Sequence, residues 1–141
     1  MILKIDKPDE ARFLHDLVAW NDNTYNDLPN IHDQSNIINA VANAKFHSKI
    51  DLSDGDYNLR IIPEHKKHTT FKTPFGVYRI RVMQQGDKNV PSTFQNAIKT
   101  LFQVELGVFV YIYINNIFIF SKTYKEHVNH VRHVLKKLRD N

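Results

Sequence analysis

The stretch YIYINNIFIF, residues 111–120, decides the fold. Aromatic and β-branched residues run up to Ile114 and resume at Ile117, on either side of Asn115 and Asn116. This pattern predicts a tight β-hairpin, because asparagine tolerates the positive φ that a type I′ turn requires. A hairpin by itself carries no chemistry. An Asp pair at the same tip would place two carboxylates where they could hold metal ions. Asn115 and Asn116 are therefore either a favourable turn or what is left of such a pair.

Outward from the hairpin, TYKE predicts the start of a last helix, with Thr123 and Glu126 as a capping box. Val128, Val131, Val134, Leu135 and Leu138 form its apolar stripe. Before the hairpin, a helix is expected from Pro91, with Phe94, Ile98, Leu101 and Phe102 facing inward. KFHSKIDL reads as a strand, Phe46, Ser48 and Ile50 on one face and His47, Lys49 and Asp51 on the other. YNLRII, TTFKT and VYRIRVM read as further strands, the last two separated by a turn at Pro74–Gly76. DQSNIINAVANA predicts a short helix with Ile37, Ile38 and Val41 on one side, capped by Asp33 or Ser35. The expected core comprises Ile50, Leu59, Ile61, Phe71, Val82, Phe94, Ile112, Ile114, Ile117, Ile119 and Leu135. Helices alternate with strands in a way that predicts an α+β domain, its helices on one face of a sheet.

The 141 residues are enough for one domain with a real core. The absence of cysteine excludes disulfides and thiolate zinc sites. The longest apolar stretch is too short to cross a bilayer, and the charged N-terminus has no signal-peptide core. An intracellular protein with no membrane partner is expected, its start an arbitrary cut in a longer one. Residues 1–59 carry five Lys/Arg against ten Asp/Glu, a net of −5. Residues 60–141 carry fourteen against five, a net of +9. A basic half of this kind suits a polyanion, although lysines and arginines also simply solvate surfaces.

Asp51, Asp54 and Asp56 put three carboxylates within six residues, oxygen ligands of the kind Mg²⁺ takes. The plain alternative is an acidic turn. His127, His130 and His133 drift around the last helix by 60° per step and cannot converge on one ion, so a solvated surface is expected. Together, a strand-end Asp and an Asp-bearing hairpin are what a two-metal nucleotidyl transferase brings to its Mg²⁺ pair.

AKFHSKIDLSDGDYNLRIIPE (44–64) resembles the first catalytic motif of reverse transcriptases from gypsy-type long-terminal-repeat retrotransposons. TTFKTPFGVYRIRVM (69–83), NVPSTFQNAI (89–98) and VYIYINNIFIFSKTYKEHVNHVRHVLKKL (110–138) resemble the motifs that follow it, and DLPNI (27–31) an earlier one. The resemblance runs from about Arg12 to Leu138. It implies a polymerase palm, a ferredoxin-like or RRM-like antiparallel sheet with helices on one face, over residues 46–141. Residues 1–45 would be part of the fingers and a connecting segment.

In the family, Asp51 would be the retained metal ligand. The hairpin Asp pair maps onto Asn115 and Asn116. The aromatic gate that rejects a ribose 2′-hydroxyl maps onto Asp56, the triphosphate-contacting Arg onto Val18, and the substrate loop onto Gln84, Gln85, Gly86 and Asp87. The family implies Mg²⁺, a nucleic-acid template-primer and the remainder of a Pol polyprotein as partners. Four separated departures imply a two-metal site lost and a transposable-element domain without polymerase activity. Nucleic-acid contacts are expected at Lys66, Lys67, Lys72, Arg79 and Arg81. Alternatives are an active RNA-directed DNA polymerase with substituted ligands such as Asp54 or Asp56, a protein-interaction module, or a non-functional remnant.

Overall fold

The computed structural model describes residues 2–4, 7–12, 16–27, 34–52 and 55–141, without the side chains of 2–12 or of Asp56. The chain forms two compact units that are each discontinuous in sequence. One unit takes Met1–Asp27 and Asp54–Val90, and the other takes Leu28–Ser53 and Pro91–Asn141.

The second unit holds the hairpin. Its strands β3 (Phe46–Asp51), β6 (Val110–Tyr113) and β7 (Asn116–Ser121) form a three-stranded antiparallel sheet in the order β3-β7-β6. Alternation sends Ile117, Ile119 and Ser121 of β7 inward, and Val110 and Ile112 of β6 join them. Helix α3 (Val90–Leu101) runs into this unit, and α4 (Tyr124–Asp140) belongs to it wholly. Phe102 just past α3 and Val134 of α4 complete a fully buried cluster with the four strand residues Val110, Ile112, Ile117 and Ile119. Helix α4 starts at the expected capping box, where Thr123 Oγ1 accepts from Glu126 N and Glu126 Oε2 accepts from Thr123 N. Helix α2 (Gln34–Ala42) buries Ile37 but leaves Ile38 exposed. Ser35 lies inside its first turn and is no cap, and Asp33 lies outside the described residues.

The first unit carries β1 (Ile2–Lys4) paired with β2 (Lys7–Arg12), the short α1 (Val18–Asp22), and β4 (Thr70–Thr73) paired with β5 (Gly76–Arg79). The expected strand at YNLRII does not form. Residues 55–58 and 63–69 wind into 3₁₀ turns, the second begun by Pro63, which fixes φ and has no N–H for a ladder. What survives is a single bridge between Arg60 and Val82, with Ile61 N donating to Arg81 O and Met83 N to Leu59 O. The strand expected over VYRIRVM accordingly ends at Arg79. Leu59, Ile61, Phe71 and Val82, all assigned to the core, are half-buried.

Two other core assignments are corrected. Leu135 is 51% exposed, because the core cluster takes the Val131–Val134–Leu138 side of α4. Ile114 is 41% exposed, because it sits in the turn and not in β6.

Candidate functional site

The hairpin tip differs from the expected Asn-Asn turn by one residue. Tyr113 pairs with Asn116, so the two-residue loop is Ile114–Asn115 and Asn116 begins β7. The positive φ falls on Ile114, at 55°, and on neither asparagine. A β-branched residue is disfavoured there, since its Cβ crowds the carbonyl that follows, and such strain persists only where surrounding structure imposes it. The imposing contact is the long-range pairing of β3 with β7, which draws Asn116 into the ladder opposite Asp51.

That pairing assembles three of the sequence-predicted residues. Asp51 and Asn116 are direct cross-strand partners, so their side chains leave the sheet on the same face with Cβ atoms about 5 Å apart. Leu52 N donates to Asn115 O at 2.9 Å, which ties the turn to the end of β3. Asn116 Nδ2 donates to Asn115 Oδ1 at 2.9 Å, and the buried Asn116 Oδ1 has no hydrogen-bond partner. The three side chains thus offer one carboxylate and two amides. Asp54, the other candidate ligand, lies outside the described residues, as does the side chain of Asp56.

The other residues expected at substrate positions sit in the first unit. Val18 opens α1 and is largely exposed, its N–H donating to Asp16 Oδ1 at 3.0 Å. The loop carrying Gln84–Asp87 is bound to α1 by Asn21, whose Nδ2 donates to Gly86 O at 2.8 Å and whose Oδ1 accepts from Lys88 N at 2.9 Å. Gly86 has φ +97°, a conformation that favours glycine, and a Cβ there would lie 4.0 Å from Leu17. Leu17 and Asn21 therefore bring the Gly86 loop to α1, across 69 and 65 residues of sequence. Lys66 and Lys67 lie in the last turn of the second 3₁₀ segment, which Thr69 Oγ1 fastens to Ile80 in both directions. The β4–β5 register puts Lys72 and Arg79 on one face of their hairpin, both exposed, with Arg81 exposed beyond it.

Two of the α4 histidines, His127 and His130, are half-buried, whereas His133 stays 52% exposed as a solvated surface would have it. His127 bridges two strands, its Nε2 2.8 Å from Ser48 Oγ and its Nδ1 3.0 Å from Ser121 Oγ. His130 Nδ1 meets the same Ser121 hydroxyl at 2.8 Å and its ring stacks on Phe109 at 4.0 Å. Burial, and secondarily the charges of His130 and His47, hold the His127 pKa below its usual value. His133 Nε2 and Lys137 Nζ both reach the buried Glu105, at 2.7 and 2.8 Å. Sequence alone offered one clue to these roles, the three-residue spacing on a helix; Ser121 is 6 and 9 residues from its histidines, but Glu105 is 28 from His133 and Ser48 is 79 from His127.

Comparison with known proteins identifies the family and the fold. The profile of a family described as reverse transcriptase (RNA-dependent DNA polymerase) matches residues 7–141. The enzymatic polyprotein of Cassava vein mosaic virus is 34% identical over 101 residues, 72% of this chain and 15% of that protein. The retrovirus-related Pol polyprotein of the Drosophila melanogaster transposon gypsy is 30% identical over 104 residues, 74% of this chain and 10% of that protein. The chain thus spans a small part of the length of these relatives. Among solved structures, prototype foamy virus protease-reverse transcriptase shares the fold with a TM-score of 0.78 at 24% identity, over 99% of this chain and 18% of that one. The foamy viral enzyme in complex with an RNA/DNA hybrid gives 0.73 at 24% identity, over 87% of this chain and 16% of that one.

Proposed function

Since this chain belongs to the reverse transcriptase (RNA-dependent DNA polymerase) family, we propose that it is a reverse-transcriptase-like domain that no longer polymerises and keeps a basic surface for nucleic acid. The donor set at the hairpin carries this reading. Enzymes of the family use divalent metal, and two Mg²⁺ ions bring four positive charges that carboxylates normally balance. Here Asp51 supplies one negative charge, Asn115 Oδ1 already accepts from Asn116, and Asn116 Oδ1 is neutral. These residues do not fit a two-metal centre. Val18 offers no donor to a triphosphate, and Gln85–Gly86 replace the substrate loop of the family. Asp56 adds a negative charge at the gate position.

The basic residues support the second half of the reading. Lys66, Lys67, Lys72, Arg79 and Arg81 cluster on the 3₁₀ segment, the β4–β5 hairpin and the strand-like stretch after it. A relative of the same fold is seen with an RNA/DNA hybrid, and nucleic acid is the polyanion proposed for this chain as well. The homologous polyproteins make the remainder of a Pol polyprotein a further proposed partner. Partial fingers at 1–45 and palm at 46–141 belong to the same proposal, although each compact unit takes chain from both sides of that boundary.

Primer extension on RNA and DNA templates with Mg²⁺ or Mn²⁺ tests the first half, and a gel-shift titration with salt tests the second. No extension is expected, together with binding that weakens steeply as salt rises. Extension that disappears in Asp51→Ala would make the chain an active polymerase with substituted ligands. Absence of both activities would leave a protein-interaction module or a remnant.

A further inference from the structure

Helix α4 carries more apolar surface than its own unit covers. The core takes Val131, Val134 and Leu138. Val128 and Leu135 lie outside that cluster, about 120° and 100° round the helix from Val134. With Val131 they line a shallow groove of about 660 Å³ along the margin of α4. Their spacing of three and then four residues is the seam of a heptad pattern, into which a second helix can set its own apolar side chains. Arg132, Lys136 and Arg139 line the same groove, on its solvent side.

We propose that this groove docks an amphipathic α-helix whose apolar stripe is flanked by acidic residues. The aliphatic floor favours a protein segment, because a phosphate backbone has no apolar flank to bury there. The cationic rim selects the sign of the partner's flanking charges, and it disfavours a second copy of α4, which would bring Arg and Lys against Arg and Lys. The site is separate from the hairpin chemistry and stands whether or not the chain polymerises.

The test uses two labelled three-heptad peptides with Leu at both seam positions, one flanked by Glu and one by Lys, read by fluorescence anisotropy. The Glu peptide is expected to bind in the micromolar range. Leu135→Glu should weaken it by about tenfold or more, a loss typical of a central apolar anchor. Arg132→Glu/Arg139→Glu should exchange the preference, losing the Glu peptide and gaining the Lys peptide. Circular dichroism keeps the comparison to folded variants, and Leu135 is exposed enough for its replacement to leave the core intact. The proposal is overturned by no binding of the Glu peptide, by equal binding of both peptides, or by Leu135→Glu binding as well as the unmodified protein. Phosphatidylserine vesicles or a dT20 oligonucleotide that bind through Leu135 and displace the Glu peptide would overturn it too.

Discussion

Asn115→Asp/Asn116→Asp places a carboxylate pair at the hairpin tip and, with Asp51, sets three negative charges at one end of the sheet. Two losses follow from the structure. The 2.9 Å amide hydrogen bond between the asparagines disappears, costing about 1 kcal/mol. A carboxylate at position 116 also faces Asp51 across the strands, as its direct partner in register. With side-chain charges about 5 Å apart and an effective dielectric between that of water and a protein surface, the repulsion is about 1–3 kcal/mol. Together these lower the melting temperature by about 5–15 °C in metal-free buffer. Mg²⁺ binds the assembled carboxylates, and at about a hundred times its Kd it returns about 2.7 kcal/mol of stability. Thermal unfolding followed by circular dichroism, with and without Mg²⁺, reads both effects. The unmodified protein should show no Mg²⁺ response beyond that of Asp51→Asn. If Mg²⁺ stabilises the unmodified protein and Asp51→Asn abolishes that gain, the asparagines are a working metal site and the charge reasoning is refuted.

Three further outcomes are expected. Burial would raise the Glu105 pKa, but hydrogen bonds from Lys137 and His133 outweigh it and hold the carboxyl below its ordinary value. The stability this contributes is present above the unfolded pKa and lost as pH falls through the folded one. Glu105→Gln should therefore cost about 2–3 kcal/mol at neutral pH in urea unfolding, and the gap to the unmodified protein should close in acid below about pH 4. His127 shows the opposite relation of charge to fold. Its lowered pKa makes protonation oppose folding, so stability falls as pH drops below about 6.5, and His127→Gln should flatten that slope in melts between about pH 7 and 5.5. Phe102→Ala empties the centre of the cluster and should cost about 3–5 kcal/mol, with the same urea m-value if the fold survives.

Much of the second unit could be read from the chain directly. The strand ending at Asp51, the helix from Pro91 and the capping box at Thr123 all announce themselves within a few residues, through period-two alternation, proline placement and a reciprocal cap. YNLRII misled because its pairing with residues 81–83 stops at a single bridge, and Pro63 closes it off. Glu105 was invisible in sequence, as its role depends on two α4 side chains 28 and 32 residues further on.

The sequence by itself determined most strands and helices of the second unit, which family the chain resembles, and that the hairpin carries two amides. Those properties are local, set by side-chain period and residue identity. Only the tertiary structure decided the register of the tip. Pairing of Phe46 with Ser121 through Asp51 with Asn116 fixes β7 against β3, and the turn must then close one residue earlier than the asparagines would choose. The strain lands on Ile114, and the buried oxygen of Asn116 is left facing Asp51's side of the sheet without a partner. Ladder bonds spread over six residue pairs outweigh the preference of one turn.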